Sequence, residues 1–133
     1  MKRILLALLL AISSLISYSQ SDEFTRVYTE RRVLDPETLD VLSSNMEVTF
    51  VVFNPDGINM IRVIRGEDVT ELYQVSEVET EFTEAGHRYQ SMETITKAGE
   101  EIYLTFYDQD IKGMLLMFYH NDEFKIVNFR NPD

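Results

Sequence analysis

GMLLMFYH, residues 113–120, is the stretch that decides the fold. Successive side chains of a β-strand point to opposite faces. Met114, Leu116 and Phe118 therefore share one face, and Leu115, Met117 and Tyr119 share the other. A strand with one wet face alternates apolar and polar residues. This one is apolar on both, so both faces must be covered.

Working outward, the chain from Phe24 to Asn131 is punctuated by turn signals: Asn54-Pro55-Asp56-Gly57, Arg65-Gly66-Glu67-Asp68, Glu84-Ala85-Gly86-His87, Lys97-Ala98-Gly99-Glu100, Asp108–Gly113 and His120-Asn121-Asp122. Segments rich in Val, Ile, Thr, Tyr and Phe lie between them. Spacings of about 8 to 12 residues with glycine-bearing turns mark consecutive antiparallel hairpins. The expected strands are Phe24–Leu34, Met46–Asn54, Ile58–Arg65, Val69–Thr83, Arg88–Lys97, Ile102–Tyr107, Met114–His120 and Glu123–Phe129. Val69–Thr83 is long, and Ser76-Glu77 in its middle suggests a bulge or bend.

One segment departs from this rhythm. Asp35-Pro36-Glu37 sets an N-cap residue before a proline at the first helical position, followed by an acid in the first turn. Leu39 and Leu42 lie three apart, with Val41 beside them. A short helix near Pro36–Leu42 is expected, held by packing.

The apolar pattern of the strands is uneven. Val78, Thr80 and Phe82 oppose Glu77, Glu79 and Glu81, which gives a wet face. Met46, Val48, Phe50 and Val52 share one face of their strand while Val51 and Phe53 share the other. Doubly apolar strands at the second position and near the C-terminus, with solvated ones midway, fit a sheet that curls on itself. The fold class is thus all-β with one short helix, an antiparallel meander of about eight strands forming a barrel or a strongly bent sheet. One face fills the interior. The short helix, the first strand or a second monomer covers part of the other.

The first residues read as an address. Lys2 and Arg3 precede an unbroken apolar run of nine, Ile4–Ile12, and Ser17-Tyr18-Ser19 offers small residues where a signal peptidase reads. The run is shorter than the roughly 20 residues a membrane span needs. Residues 1–19 are expected to be a secretory signal and 20–133 one antiparallel β domain, exported to the periplasm or the extracellular space. There is no cysteine, which excludes disulfides, thiol chemistry and a lipid-anchored cysteine. The formal charge is −11, and losing Lys2 and Arg3 makes it −13. Such a balance repels phosphate backbones and anionic lipid surfaces and argues against nucleic-acid binding. The plain reading is solubility, and the sharper one is attraction of a cationic ligand or a divalent metal.

Candidate chemistry is sparse. His87 and His120 sit in expected turns without a second ligand at metal spacing. Asp108-Gln109-Asp110 with Gly113 starts like a calcium loop, but the twelfth position is Tyr119 rather than the closing acid. There is no Gly-x-Ser-x-Gly elbow and no phosphate-cradling glycine loop. Glu71, Glu77, Glu79 and Glu81 lie on strands, where alternate acids line one face. A hydrolase using Glu79 and Glu81 as acid and base is the enzyme alternative. No catalytic residue, metal ligand or cofactor is assigned.

The aromatic residues are the better candidates. Tyr73, Tyr89, Tyr103, Tyr107 and Tyr119 join the phenylalanines on strands, where they fill a core or line a cavity for an apolar ligand. Methionines such as Met92 and Met114 adapt to irregular space. The expected cavity lining is Phe50, Phe106, Leu116 and Phe118. The order of elements, a strand, a short helical insertion and a meander, resembles lipocalin-type and fatty-acid-binding-type barrels in outline. The chain lacks the tryptophan of the lipocalin signature, and Arg62 is the nearest candidate for the internal arginines of the second family. The resulting expectation is a non-enzymatic exported binding or envelope-accessory protein with a small apolar ligand. A protein–protein module using an apolar sheet face is the alternative.

Overall fold

Every turn signal from Asn54 onward closes a link between strands. The computed structural model describes residues 22–132 and is built almost wholly of strand: β1 Phe24–Leu34, β2 Val41–Phe53, β3 Met60–Arg65, β4 Asp68–Gln74, β5 Glu79–Phe82, β6 Arg88–Ile95, β7 Glu101–Tyr107, β8 Met114–His120 and β9 Glu123–Arg130. A short 3₁₀ turn, Pro55–Gly57, joins β2 to β3. The expected secretory signal lies outside the described residues.

The strands pair in the order β4-β3-β2-β1-β9-β8-β7-β6-β5, all antiparallel, and β4 also pairs with β6. That last pairing closes eight strands into a barrel and leaves β5 outside the ring. The seam is short: Tyr73 opposes Ile95, Gln74 opposes Thr94, and the Val75 N–H donates to the Glu93 carbonyl at 2.9 Å.

The long segment Val69–Thr83 is interrupted where Ser76-Glu77 suggested. Residues 75–78 carry no strand, so β4 closes the barrel and β5 runs on along the other part of β6. Gln74 Nε2 donates to the Ser76 carbonyl at 2.8 Å, and the Ser76 hydroxyl accepts from the Glu93 N–H at 2.8 Å. The backbone freed by the bend is thereby satisfied by side chains.

The short helix does not form. Asp35 does cap: its carboxylate accepts the N–H groups of Glu37 and Thr38 at 2.8 and 3.0 Å. Leu39 then adopts φ 64°, and its N–H donates to the Asp35 carbonyl. A left-handed residue ends a helix rather than extending it. The chain therefore reverses in a hairpin loop, and β2 begins at Val41, paired with Leu34. One turn of helix costs its nucleation without repaying it, whereas the ladder between β1 and β2 gains a bond at each step.

The interior is filled from every part of the ring. Tyr28, Val51, Phe53, Ile61, Val63, Leu72, Met92, Leu104, Phe106, Met114, Leu116 and Phe129 form one buried cluster, against which Phe118 packs. This settles the two-sided strand at 114–120. Met114, Leu116 and Phe118 face the core. On the other face Leu115 lies in a row with Thr105, Asn128 and Arg32, and Met117 in a row with Tyr103, Ile126 and Leu34. Their neighbours on adjacent strands flank these side chains on the outer face of the barrel, and no helix among the described residues lies over them. Asn128 anchors the row: its carboxamide oxygen accepts from Arg32, and its nitrogen donates to the carbonyls of Lys112 and Met114.

Two placements are corrected. Phe50 stands on the outer face, 45% exposed, because Thr49, Val51 and Phe53 are the residues that β2 turns inward. Arg62 lies on the face opposite Ile61 and Val63 and pairs with Glu71 at 3.2 Å. The arginine that reaches the core aromatics is Arg26, whose guanidinium carbon lies 5.7 Å from the centre of the Phe106 ring.

Candidate binding cleft at the barrel mouth

Phe24 begins β1 and Phe53 ends β2, and the two are register partners. Phe24 opens its strand and Phe53 closes its own just before the 3₁₀ turn, so both rings stand at the rim of the barrel. They stack with centroids 4.5 Å apart and planes 8° from parallel, and Phe106 of β7 leans on Phe53 at 4.7 Å. Such aromatic pairs add about 0.5–1.5 kcal/mol beyond their area. With Met92 of β6 they make the apolar floor of an open cleft of about 540 Å³. That volume falls within the usual range for small-molecule sites.

The rim is polar and comes from the irregular segments. Asp22 precedes β1, Asn54 and Asn59 flank the 3₁₀ turn, Gln74 ends β4, Glu77 sits in the bend, and Gln90 lies on β6. The carboxamide nitrogens of Asn54, Gln74 and Gln90 donate to the Asp22 carbonyl, the Ser76 carbonyl and the Thr80 hydroxyl, at 3.2, 2.8 and 3.2 Å. Their oxygens are the acceptors left to the rim.

Behind the floor, Arg26 donates to the Tyr107 carbonyl at 2.5 Å and lies 3.8 Å from the Asp110 carboxylate. The neighbouring Tyr28 is fully buried, and its hydroxyl lacks a hydrogen-bond partner among the described residues. Burial pushes its phenol up, and the Arg26 guanidinium partly opposes the shift. Tyr28 thus stays neutral through the physiological range.

A second cleft, about 450 Å³, lies at the ends of β6, β7 and β8 and is lined by Ile95, Ile102, Tyr103, Met117, Phe118 and Tyr119 among others. A third, about 350 Å³, runs along the bend and holds Glu77, Glu79 and Glu93.

The expected lining residues are not brought together. Phe106 is in the floor of the mouth, Leu116 is buried in the core, Phe118 borders the second cleft, and Phe50 is outside. Phe24 and Phe53 escaped the sequence reading as lining residues, whereas Met92 was among the methionines it singled out. The signal was the phenylalanine immediately before Asn54-Pro55-Asp56-Gly57: an aromatic residue that abuts a turn sits at a barrel end.

The groups weighed for catalysis have other surroundings. Glu79 and Glu81 lie on β5, all of whose residues are exposed, and Glu81 accepts from the Tyr89 hydroxyl at 2.6 Å. Asp108 pairs with Arg88 at 3.3 Å, and Asp110 with Arg26. Among the described residues no group of three or more His, Asp or Glu is arranged to hold a metal ion. No helix among them is long and apolar enough to cross a membrane. Comparisons of the chain with protein-family models, with curated proteins and with solved structures find no match.

Proposed function

We propose that this chain is an exported, non-enzymatic binding protein that holds a small ligand with an apolar body at the mouth of its barrel. One observation carries the reading: Phe24, 39% exposed, caps the buried Phe53–Phe106 pair and offers an aromatic surface at the mouth cleft, while the barrel centre is filled by Tyr28, Val51, Val63, Leu104 and Met114. A ligand therefore sits on the aromatic floor rather than deep inside. Export rests on Lys2, Arg3, the Ile4–Ile12 run and Ser17–Ser19. The interaction-module alternative is favoured by a different observation. Val27, Phe50, Ile64 and Val69 are register partners across β1 to β4, and all but Ile64 are well exposed. A row of this kind suits a protein contact.

Titration with an environment-sensitive apolar dye tests the proposal. Phe24 is 39% exposed, so Phe24→Ala is expected to weaken dye binding severalfold and leave the far-ultraviolet spectrum unchanged. Dye binding that ignores Phe24→Ala and disappears in Tyr119→Ala would move the site to the second cleft. A chain that binds no apolar probe, and that carries none when extracted from its source, would favour the interaction module.

A further inference from the structure

The charge and hydrogen-bonding character of the mouth narrows the ligand class. Among the described residues, the ionisable side chains lining the cleft are Asp22 and Glu77, both acidic. The adjoining groove along the bend adds Glu79 and Glu93 to Glu77, and it too has no basic residue in its lining. The rim carboxamides of Asn54, Gln74 and Gln90 each donate one N–H to a protein oxygen, and each also carries a carbonyl oxygen that can accept. The exposed aromatic surface of the cleft is the Phe24 ring, stacked on the buried Phe53, and an aromatic ring face is electron-rich. The Phe106 ring already receives a cation: Arg26 approaches it to 5.7 Å. Arg26 does not line the cleft, and it is partnered by Asp110 and the Tyr107 carbonyl, which holds its charge away from the opening. An anionic ligand would meet the carboxylates of Asp22 and Glu77 there. A cation meets acids, acceptors and the Phe24 ring face, and the −11 charge of the whole chain draws it in.

We infer that the mouth cleft selects an amphipathic cation, an apolar body bearing a protonated amine or guanidinium, with the body on the Phe24 ring and the charged head toward Glu77 and Asp22. The inference rests on the binding reading given above. It adds the sign of the ligand's charge.

The test is calorimetry of the whole chain with three probes of equal length, octylamine, octanol and octanoate, at neutral pH and low salt. Octylamine is expected to bind about tenfold more tightly than octanol, with octanoate the weakest. Glu77→Gln is expected to weaken octylamine about two- to fivefold and to leave octanol unchanged. The advantage of the amine should shrink in high salt. Glu77 sits in an exposed bend, so this variant keeps the fold. Octanol binding as tightly as octylamine, or octanoate binding more tightly, would overturn the charge selection and leave the binding reading intact. An amine preference that survives both Glu77→Gln and Asp22→Asn would also overturn it. Failure of all three probes to bind would overturn the binding reading together with the inference.

Discussion

Replacing Gly113 by alanine is a severe test of how β8 is held against β9. Gly113 has φ 67°, a region that costs an L-residue about 1–2 kcal/mol. The larger cost is contact. A Cβ at this position would lie 1.8 Å from the Phe129 carbonyl oxygen and 2.8 Å from the Arg130 Cα. Those are backbone atoms of a core strand, so β9 would have to retreat by roughly 1.5 Å to restore van der Waals separation. Phe129 is the register partner of Met114, and both side chains are buried in the core. Moving them apart loosens their packing and strains ladder bonds of about 1 kcal/mol each. The sum is about 3–5 kcal/mol, a large part of the roughly 5–15 kcal/mol that holds a domain of this size. Gly99→Ala supplies the control. Its φ is 86°, yet nothing lies within 4 Å of the added carbon, so it meets the conformational cost alone. Urea unfolding followed by circular dichroism should place the Gly113→Ala midpoint about 2 M below that of Gly99→Ala. Equal midpoints for the two variants would show that β9 is not pressed against Gly113, and the reasoning would fail.

Charge placed on either face of β8 should report the coverage of each. Leu116→Glu buries an unpaired carboxylate in the core and should unfold the protein or cost about 3–5 kcal/mol, whereas Met117→Glu should cost about 1 kcal/mol in the same urea assay. Acid should destabilise the fold in a definite window. Hydrogen bonds from Arg130, Arg65 and Lys97 hold the carboxyls of Glu30, Glu47 and Glu71 below the ordinary 4.5, with Arg62 adding to the last. A depressed folded-state pKa contributes stability that is complete above the unfolded value and is lost as pH falls through the folded one. The urea midpoint should therefore hold above about pH 5 and decline below 4.5, less steeply in Glu71→Gln; a midpoint unchanged down to pH 3 would contradict these pairings. In the first hairpin loop, Asp35→Ala removes the acceptor for two N–H groups and should lower stability by about 1 kcal/mol in thermal melts, with no loss of helical signal because the loop contains no helix.

From Asn54 onward the amino-acid sequence by itself determined which segments are strands and where the chain turns, because those are local matters. Alternating and β-branched runs between Gly, Asn and Asp turns have few other ways to satisfy their backbones. Met114–His120 carries the same bounds in the sequence reading and in the structure, and the interruption near Ser76 falls where a polar pair broke a long apolar run. The curl was legible as well, since a strand apolar on both faces needs cover on both.

What each face met was decided by the tertiary structure. In β2 the row with more apolar residues, which includes Met46, Val48 and Phe50, points outward, and the row with Thr49 points in. Counting apolar side chains could not separate the two rows. Register could, through the pairing of Thr49 with Tyr28 and of Val51 with Arg26. The Asp35 segment met both requirements for starting a helix and still became a loop, because the competing ladder lies in another part of the chain. The mouth cleft is the clearest case. Phe24, Phe53, Met92 and Phe106 are spread over four strands far apart in sequence, and closing β4 onto β6 gathers them at one end of the barrel. A site built by closure leaves no local pattern, since its residues become neighbours only when the ring is complete.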